Sequence, residues 1–338
     1  MKIPIVVLSV CWFLVQAGCS QQNRTSPGAD QAKHYLELDS SIALPNVQGG
    51  FDLMAVDLER QRLFVSAEAN HTVEVADLKE RKPIASIPDM NEPKWVAYRP
   101  DENVLYVATG KDGRVTGLDA TTYKVKYTFQ FREKCNNLRY DELARELFVG
   151  VGDTFGSLGI IDLKNHRIKG EIGLADYPKQ FEIDGNKIYV NIPSKNVIQV
   201  VDRTSGKVAA DWPVKEAKEN VPMALDREHG RLFVGCEPGK FVVYSISTGT
   251  SIFSLDINKE ADGIYYDAKR HMIYVSTGEG FIDVINQLTP DSYQLVERVA
   301  TTEGAGTSLY VPQLDLYVVA TPQAGDRQAA LRLYRPLS

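Results

Sequence analysis

The sequence predicts an all-β fold: one seven-bladed β-propeller with four antiparallel strands per blade. Three observations predict it. A short apolar phrase recurs seven times at nearly constant spacing. Each repeat holds four short runs of strand character and no amphipathic helix of convincing length. The last repeat lacks its final strand, and an unmatched run near the N-terminus can supply it.

The phrase is an apolar residue, an aromatic and a valine, after a turn rich in Asp, Arg, Glu and Gly. Its copies are Leu63-Phe64-Val65, Leu105-Tyr106-Val107, Leu147-Phe148-Val149, Ile188-Tyr189-Val190, Leu232-Phe233-Val234, Ile273-Tyr274-Val275 and Leu316-Tyr317-Val318. The aromatics stand at 64, 106, 148, 189, 233, 274 and 317, so the period is between 41 and 44 residues. That is the length of a four-stranded propeller blade. We name the strands a to d from the axis outward and read the phrase as strand b. Its nearly continuous hydrophobicity fits a strand covered on both faces by neighbouring blades.

A second phrase, apolar and ending in aspartate, follows the first four aromatics by 13 or 14 residues: Asp77, Asp119, Asp162 and Asp202 close it. This is strand c, and aspartate at its end suits a turn in which the carboxylate binds its own backbone. Later copies relax to Val243-Tyr244-Ser245 and Val284-Ile285-Asn286. A third run, such as 124–129 or 167–172, is strand d. Gly, Asp, Asn and Pro separate the runs.

The C-terminal repeat supplies strand a near 307–310, b near 314–320 and c near 330–334, then ends. Residues 35–44 match the other d strands. They are expected to complete the last blade, a three-plus-one closure that ties the two ends of the chain together and makes 34–338 one domain.

Residues 1–18 have the order of a secretory signal: Lys2, an apolar core through Val15, then small residues. The core is shorter than the ~20 residues that span a bilayer as a helix. Val15-Gln16-Ala17-Gly18-Cys19 resembles a bacterial lipobox, which implies a lipid on the Cys19 thiol. Gln16 departs from the residue usual there, and cleavage after Ala17 is the competing reading. Ser20 after the cysteine resembles an outer-membrane destination. Residues 19–33, rich in Gln, Ser, Pro and Gly, read as a flexible lipidated tether. The expected location is extracytoplasmic, at the cell envelope, or secreted.

The chain has 338 residues, of which 43% are hydrophobic and 24% charged, ordinary for a globular protein. A formal net charge of −6 repels phosphate backbones and disfavours a general nucleic-acid binder. The four cysteines are Cys11, Cys19, Cys135 and Cys236, with no C-x-x-C pair for a metal, redox or haem site. Cys135 and Cys236 fall two blades apart and read as two separate thiols or, across a long reach, a bridge. His34, His71, His166, His229 and His271 are scattered over different blades and both faces, which speaks against a histidine metal site.

The repeat resembles the YVTN β-propeller repeat of YncE-like extracytoplasmic proteins. Tyr106-Val107, Tyr189-Val190, Tyr274-Val275 and Tyr317-Val318 carry the match, and three blades place Phe where that repeat has Tyr. The resemblance spans about residues 35 to 335 and implies the fold rather than a function.

Function must then come from the loops. In a propeller the d–a and b–c loops share one face at the mouth of the central channel. Aligning the d–a loops puts Asp52, Lys94, Asn136, Lys179 and Asp262 around that mouth. Two ammonium groups, an amide and two carboxylates can hold a small polar ligand, or form a solvated channel of mutually neutralising charges. The expected function is a non-catalytic binding scaffold working through this face, with no cofactor and no metal, as a monomer tethered to a membrane. Its partner is an envelope protein or a small polar ligand. The enzymatic alternatives are a metal-dependent hydrolase of the lactonase-like propeller type and a quinone-dependent dehydrogenase-like propeller. Asp52, Asn136 and Asp262 are suitable metal donors, but Lys94 and Lys179 would repel a divalent cation. No nucleophile elbow, P-loop or dinucleotide fingerprint occurs.

Overall fold

Why the b strands carry no polar face is plain from where they lie. In a computed structural model, which describes Met1 and residues 33–338, seven four-stranded antiparallel sheets follow one another along the chain. The signal, Cys11, Cys19 and the tether through residue 32 lie outside the described residues. The blades span 52–87, 93–130, 135–173, 181–213, 223–256, 261–300 and 308–336. Strand a of each blade contacts strand a of the next, and that of blade 7 contacts that of blade 1, so the ring is closed.

The core is divided accordingly into seven clusters, each filling the seam between two adjacent blades. Successive side chains of a strand point to opposite faces, so each b strand feeds two seams. In blade 1, Leu63 and Val65 pack in the seam with blade 7, while Phe64 packs in the seam with blade 2. Blades 2 to 6 repeat this: the aromatic faces the following blade and its flanking aliphatics the preceding one.

Blade 7 departs from the pattern. Tyr317 packs backward against blade 6, its ring 5.2 Å from Tyr274 and 6.2 Å from Tyr265, while Leu316 and Val318 face blade 1. The seventh phrase is therefore one residue out of phase with the other six. A slip of one position in a strand exchanges its two faces; the apolar run of 316–320 tolerates it because both faces are buried.

The N-terminal strand Leu36–Leu44 pairs antiparallel with Ala329–Pro336 and is the outermost strand of blade 7. Its start is held by Glu297 of blade 6, whose carboxylate accepts the Tyr35 and Leu36 amides at 2.7 and 3.3 Å and sits 2.7 Å from His34 Nδ1. The Leu337 amide donates to the Tyr35 carbonyl at 2.8 Å, bringing the two ends of the propeller together.

The aspartates that close the c strands do what their turns require. Asp77 accepts the amides of Lys79 and Glu80, Asp119 those of Thr121 and Thr122, Asp162 those of Lys164 and Asn165, and Asp202 that of Ser205. Cys135 and Cys236 are both buried free thiols, not a bridge. His71, His166 and His271 hold left-handed backbone conformations, φ 58°, 48° and 55°, as turn residues. Besides strands, the described residues contain two short 3₁₀ turns, Pro193–Lys195 and Pro312–Leu314.

Candidate functional site

The five residues expected at the channel mouth do converge. Asp52, Lys94, Asn136, Lys179 and Asp262 line one cavity of about 240 Å³, with Phe51, Leu53, Glu68, Asn137, Gln180 and Val221.

Local backbone irregularity places four of them. A β-bulge opens strand a in blades 1, 2, 3 and 6, where the register with strand b shifts between Asp52 and Met54, Pro93 and Trp95, Cys135 and Leu138, and Ala261 and Gly263. Lys94, Asn136, Asn137 and Asp262 stand at the shifts, and Asp52 borders one. A bulge frees a residue from ladder pairing and re-aims its side chain. Small neighbours are needed for the close approach: a Cβ on Gly263 would lie 2.2 Å from the Ser308 hydroxyl, and one on Gly306 3.0 Å from the Asp262 side chain.

The electrostatics follow from depth. Burial pushes the Asp52 carboxyl well above the usual carboxylate range; Asp262 and Glu68 add to the shift, and Lys94 and Lys179 oppose it. Burial raises Asp262 as well, against the pull of Lys179, a Thr307 hydrogen bond and Lys94. Lys94 forms an ion pair with Glu68. Lys179 has no ion-pair partner among the described residues; its ammonium lies 5.6 Å from the centre of the Tyr177 ring. Asn136 Nδ2 donates to Tyr177 Oη at 2.6 Å, and burial pushes that phenol up to about 12.

Glu68, Asn137 and Gln180 are the residues that aligning the d–a loops misses. Glu68 comes from a b–c loop, four residues past the Phe64 anchor, and comparing the b–c loops would have found it. Gln180 links three blades: its Nε2 donates to the Asp262 carbonyl at 2.8 Å and its Oε1 accepts the Met223 amide at 3.4 Å. Asn137 is 3% exposed and its Nδ2 has no hydrogen-bond partner among the described residues.

A larger groove, about 680 Å³, lies on the opposite face along blades 3 to 5. All its charges but Glu142 are matched: Arg139 with Glu182 at 3.4 Å, Arg227 with Glu182 at 3.6 Å, and Arg203 with Asp141. The mouth is smaller but holds more of the unmatched groups.

Comparison with solved structures decides the architecture. A chain of the mitotic checkpoint complex superposes with TM-score 0.75 at 15% identity, covering 98% of this chain and 99% of its own. A chain of the hydrazine synthase of Kuenenia stuttgartiensis gives TM-score 0.72 at 17% identity, covering 87% and 96%. The fold is a β-propeller. At these identities the likeness concerns the fold alone. No family model matches the chain, and no curated protein sequence matches it.

As a metal centre the mouth fits poorly. No group of three or more His, Cys, Asp or Glu among the described residues is arranged to hold an ion. Asp52, Asn136 and Asp262 supply oxygen donors, but the Lys94 and Lys179 ammonium groups share the cavity and would repel a divalent cation.

Proposed function

We propose that this propeller is a membrane-tethered binding protein of the cell envelope, similar to YVTN-repeat propellers, held by a lipid on Cys19 and taking a small polar ligand at the channel mouth without transforming it. The observation that carries the reading is the convergence of Asp52, Lys94, Asn136, Lys179 and Asp262 on one cavity. Its described lining holds no histidine, serine or cysteine, so it lacks the Ser–His or Cys–His pairing of nucleophile and base. The groups present bind and orient; burial of the carboxyls strengthens each polar contact.

The test uses purified full-length protein. Small molecules that co-purify from envelope extracts are identified by mass spectrometry for the wild type and for Lys179→Met. We expect at least one compound retained by the wild type and lost from the variant. Identical profiles from both would remove the channel mouth from consideration. The lipid is tested separately, by labelling with radioactive palmitate, which Cys19→Ala abolishes if the thiol is acylated.

A further inference from the structure

We infer that the ligand of this cavity is a small zwitterion of the α-amino-acid class, its carboxylate held on the side of blades 3 and 4 and its primary ammonium on the side of blades 6 and 1. The inference rests on the ligand-binding reading above.

The charges are not scattered around the ring. Asp262 belongs to blade 6 and Asp52 to blade 1, and blade 7 between them contributes none of the lining. Asn136 and Asn137 belong to blade 3, and Lys179 and Gln180 precede strand a of blade 4. Lys94, of blade 2, is answered by Glu68. Removing that matched pair leaves two carboxyls on one arc and, on the other, an ammonium near enough to pull on both, with one amide donor, Asn137 Nδ2, uncommitted.

The unsatisfied groups name the ligand. Lys179, which has no ion pair among the described residues, and the Nδ2 of buried Asn137, which has no hydrogen-bond partner among them, are both donors, and a carboxylate oxygen is an acceptor that serves the two together. Asp52 and Asp262 are acceptors that share a low-dielectric space, and a cation between them relieves their mutual repulsion. A carboxylate and an ammonium a few bonds apart meet both demands at once. Aromatic rings cage quaternary ammonium groups, but Phe51 is the one aromatic of the lining, so a primary ammonium that donates hydrogen bonds fits better. About 240 Å³ is the room of roughly eight waters, enough for an amino acid.

The test is titration calorimetry on purified full-length protein at pH 7.5 with the twenty protein amino acids. For each one that binds, the matching amine without carboxylate and the matching acid without ammonium are also titrated. Galactose is the neutral control. We expect at least one amino acid to bind, with both single-charge analogues at least tenfold weaker. Lys179→Met and Asp262→Asn should each weaken the amino acid at least tenfold, and Asp262→Asn should erase the preference for the amino acid over the bare acid. The analogue comparison needs no variant, so it stands even if a variant misfolds. An acid or amine binding as tightly as the amino acid, or galactose alone binding, overturns the zwitterion and leaves the binding reading in place. Failure of every amino acid also overturns it. If, in addition, no compound co-purifies with the wild type, the binding reading falls with it.

Discussion

At the scale of single residues, the channel mouth carries a cost in stability. Burial, and after it the charge of Asp262, raise the Asp52 carboxyl above the unfolded value of about 3.9. A raised carboxyl makes the folded state bind more protons than the unfolded one, so this contribution to stability falls as pH rises from about 4 through the folded value. Asp52→Asn removes the liability. We expect it to melt higher than wild type at pH 7, by roughly 1.5 °C for each kcal/mol relieved in a chain of this size. The gap should close as pH falls toward about 4. Melting curves across pH check this, and a lower melting temperature for the variant at pH 7 would refute it. The cysteines give a second residue-scale outcome. Burial holds both thiols up, Cys236 to about 12, so neither is a ready thiolate. Thiol-reactive dye should label neither Cys135 nor Cys236 in the native protein and both in urea, as counted by mass spectrometry.

At the scale of the strand, hydrophobic pattern carried most of the information. The b strands were legible because burial on two faces leaves an unbroken apolar run, repeated seven times. Phe64 is fully buried in its seam, and Phe64→Ala should cost about 3–5 kcal/mol in urea unfolding. The same pattern was silent about phase in blade 7, where both neighbours of Tyr317 are apolar and either face could be filled. The five mouth residues were legible from the spacing of the d–a loops. Asn137, Glu68 and Gln180 were not. A bulge at Cys135–Leu138 decides what Asn137 lines, and a bulge has no sequence period to betray it. Glu68 sits in a b–c loop, outside the aligned d–a loops, and Gln180 is fixed by a contact between blades distant in sequence.

At the scale of the molecule, closure is the step on which the ring depends. Beyond the added strand 36–44, Arg270 of blade 6 binds Asp315 of blade 7 through both guanidinium nitrogens, Asp267 of its own blade at 2.9 Å, and the Pro336 carbonyl at 3.2 Å. One side chain thus ties the sixth blade to the seventh and to the C-terminal strand. Arg270 holds the Asp315 carboxyl below its usual range, a contribution present above about pH 4 and lost as pH falls through the folded value. Arg270→Met strands the buried Asp267 as well. We expect a loss of about 3–5 kcal/mol in urea unfolding, and a loss under 1 kcal/mol would show that the added strand alone seals the ring.

The hydrogen bond from Leu337 to Tyr35 has a consequence for how the chain could be rewired. Residues that touch can be joined by a short linker, and proteins whose ends lie close tolerate circular permutation. Fusing the two ends and opening the chain at the exposed turn between Thr204 and Ser205, which joins strands c and d of blade 4, would transfer the seam to that blade. The permuted polypeptide would begin with an outer strand and end with three inner ones, as the natural one does. Its gene would start in the middle, yet its product would present the same mouth.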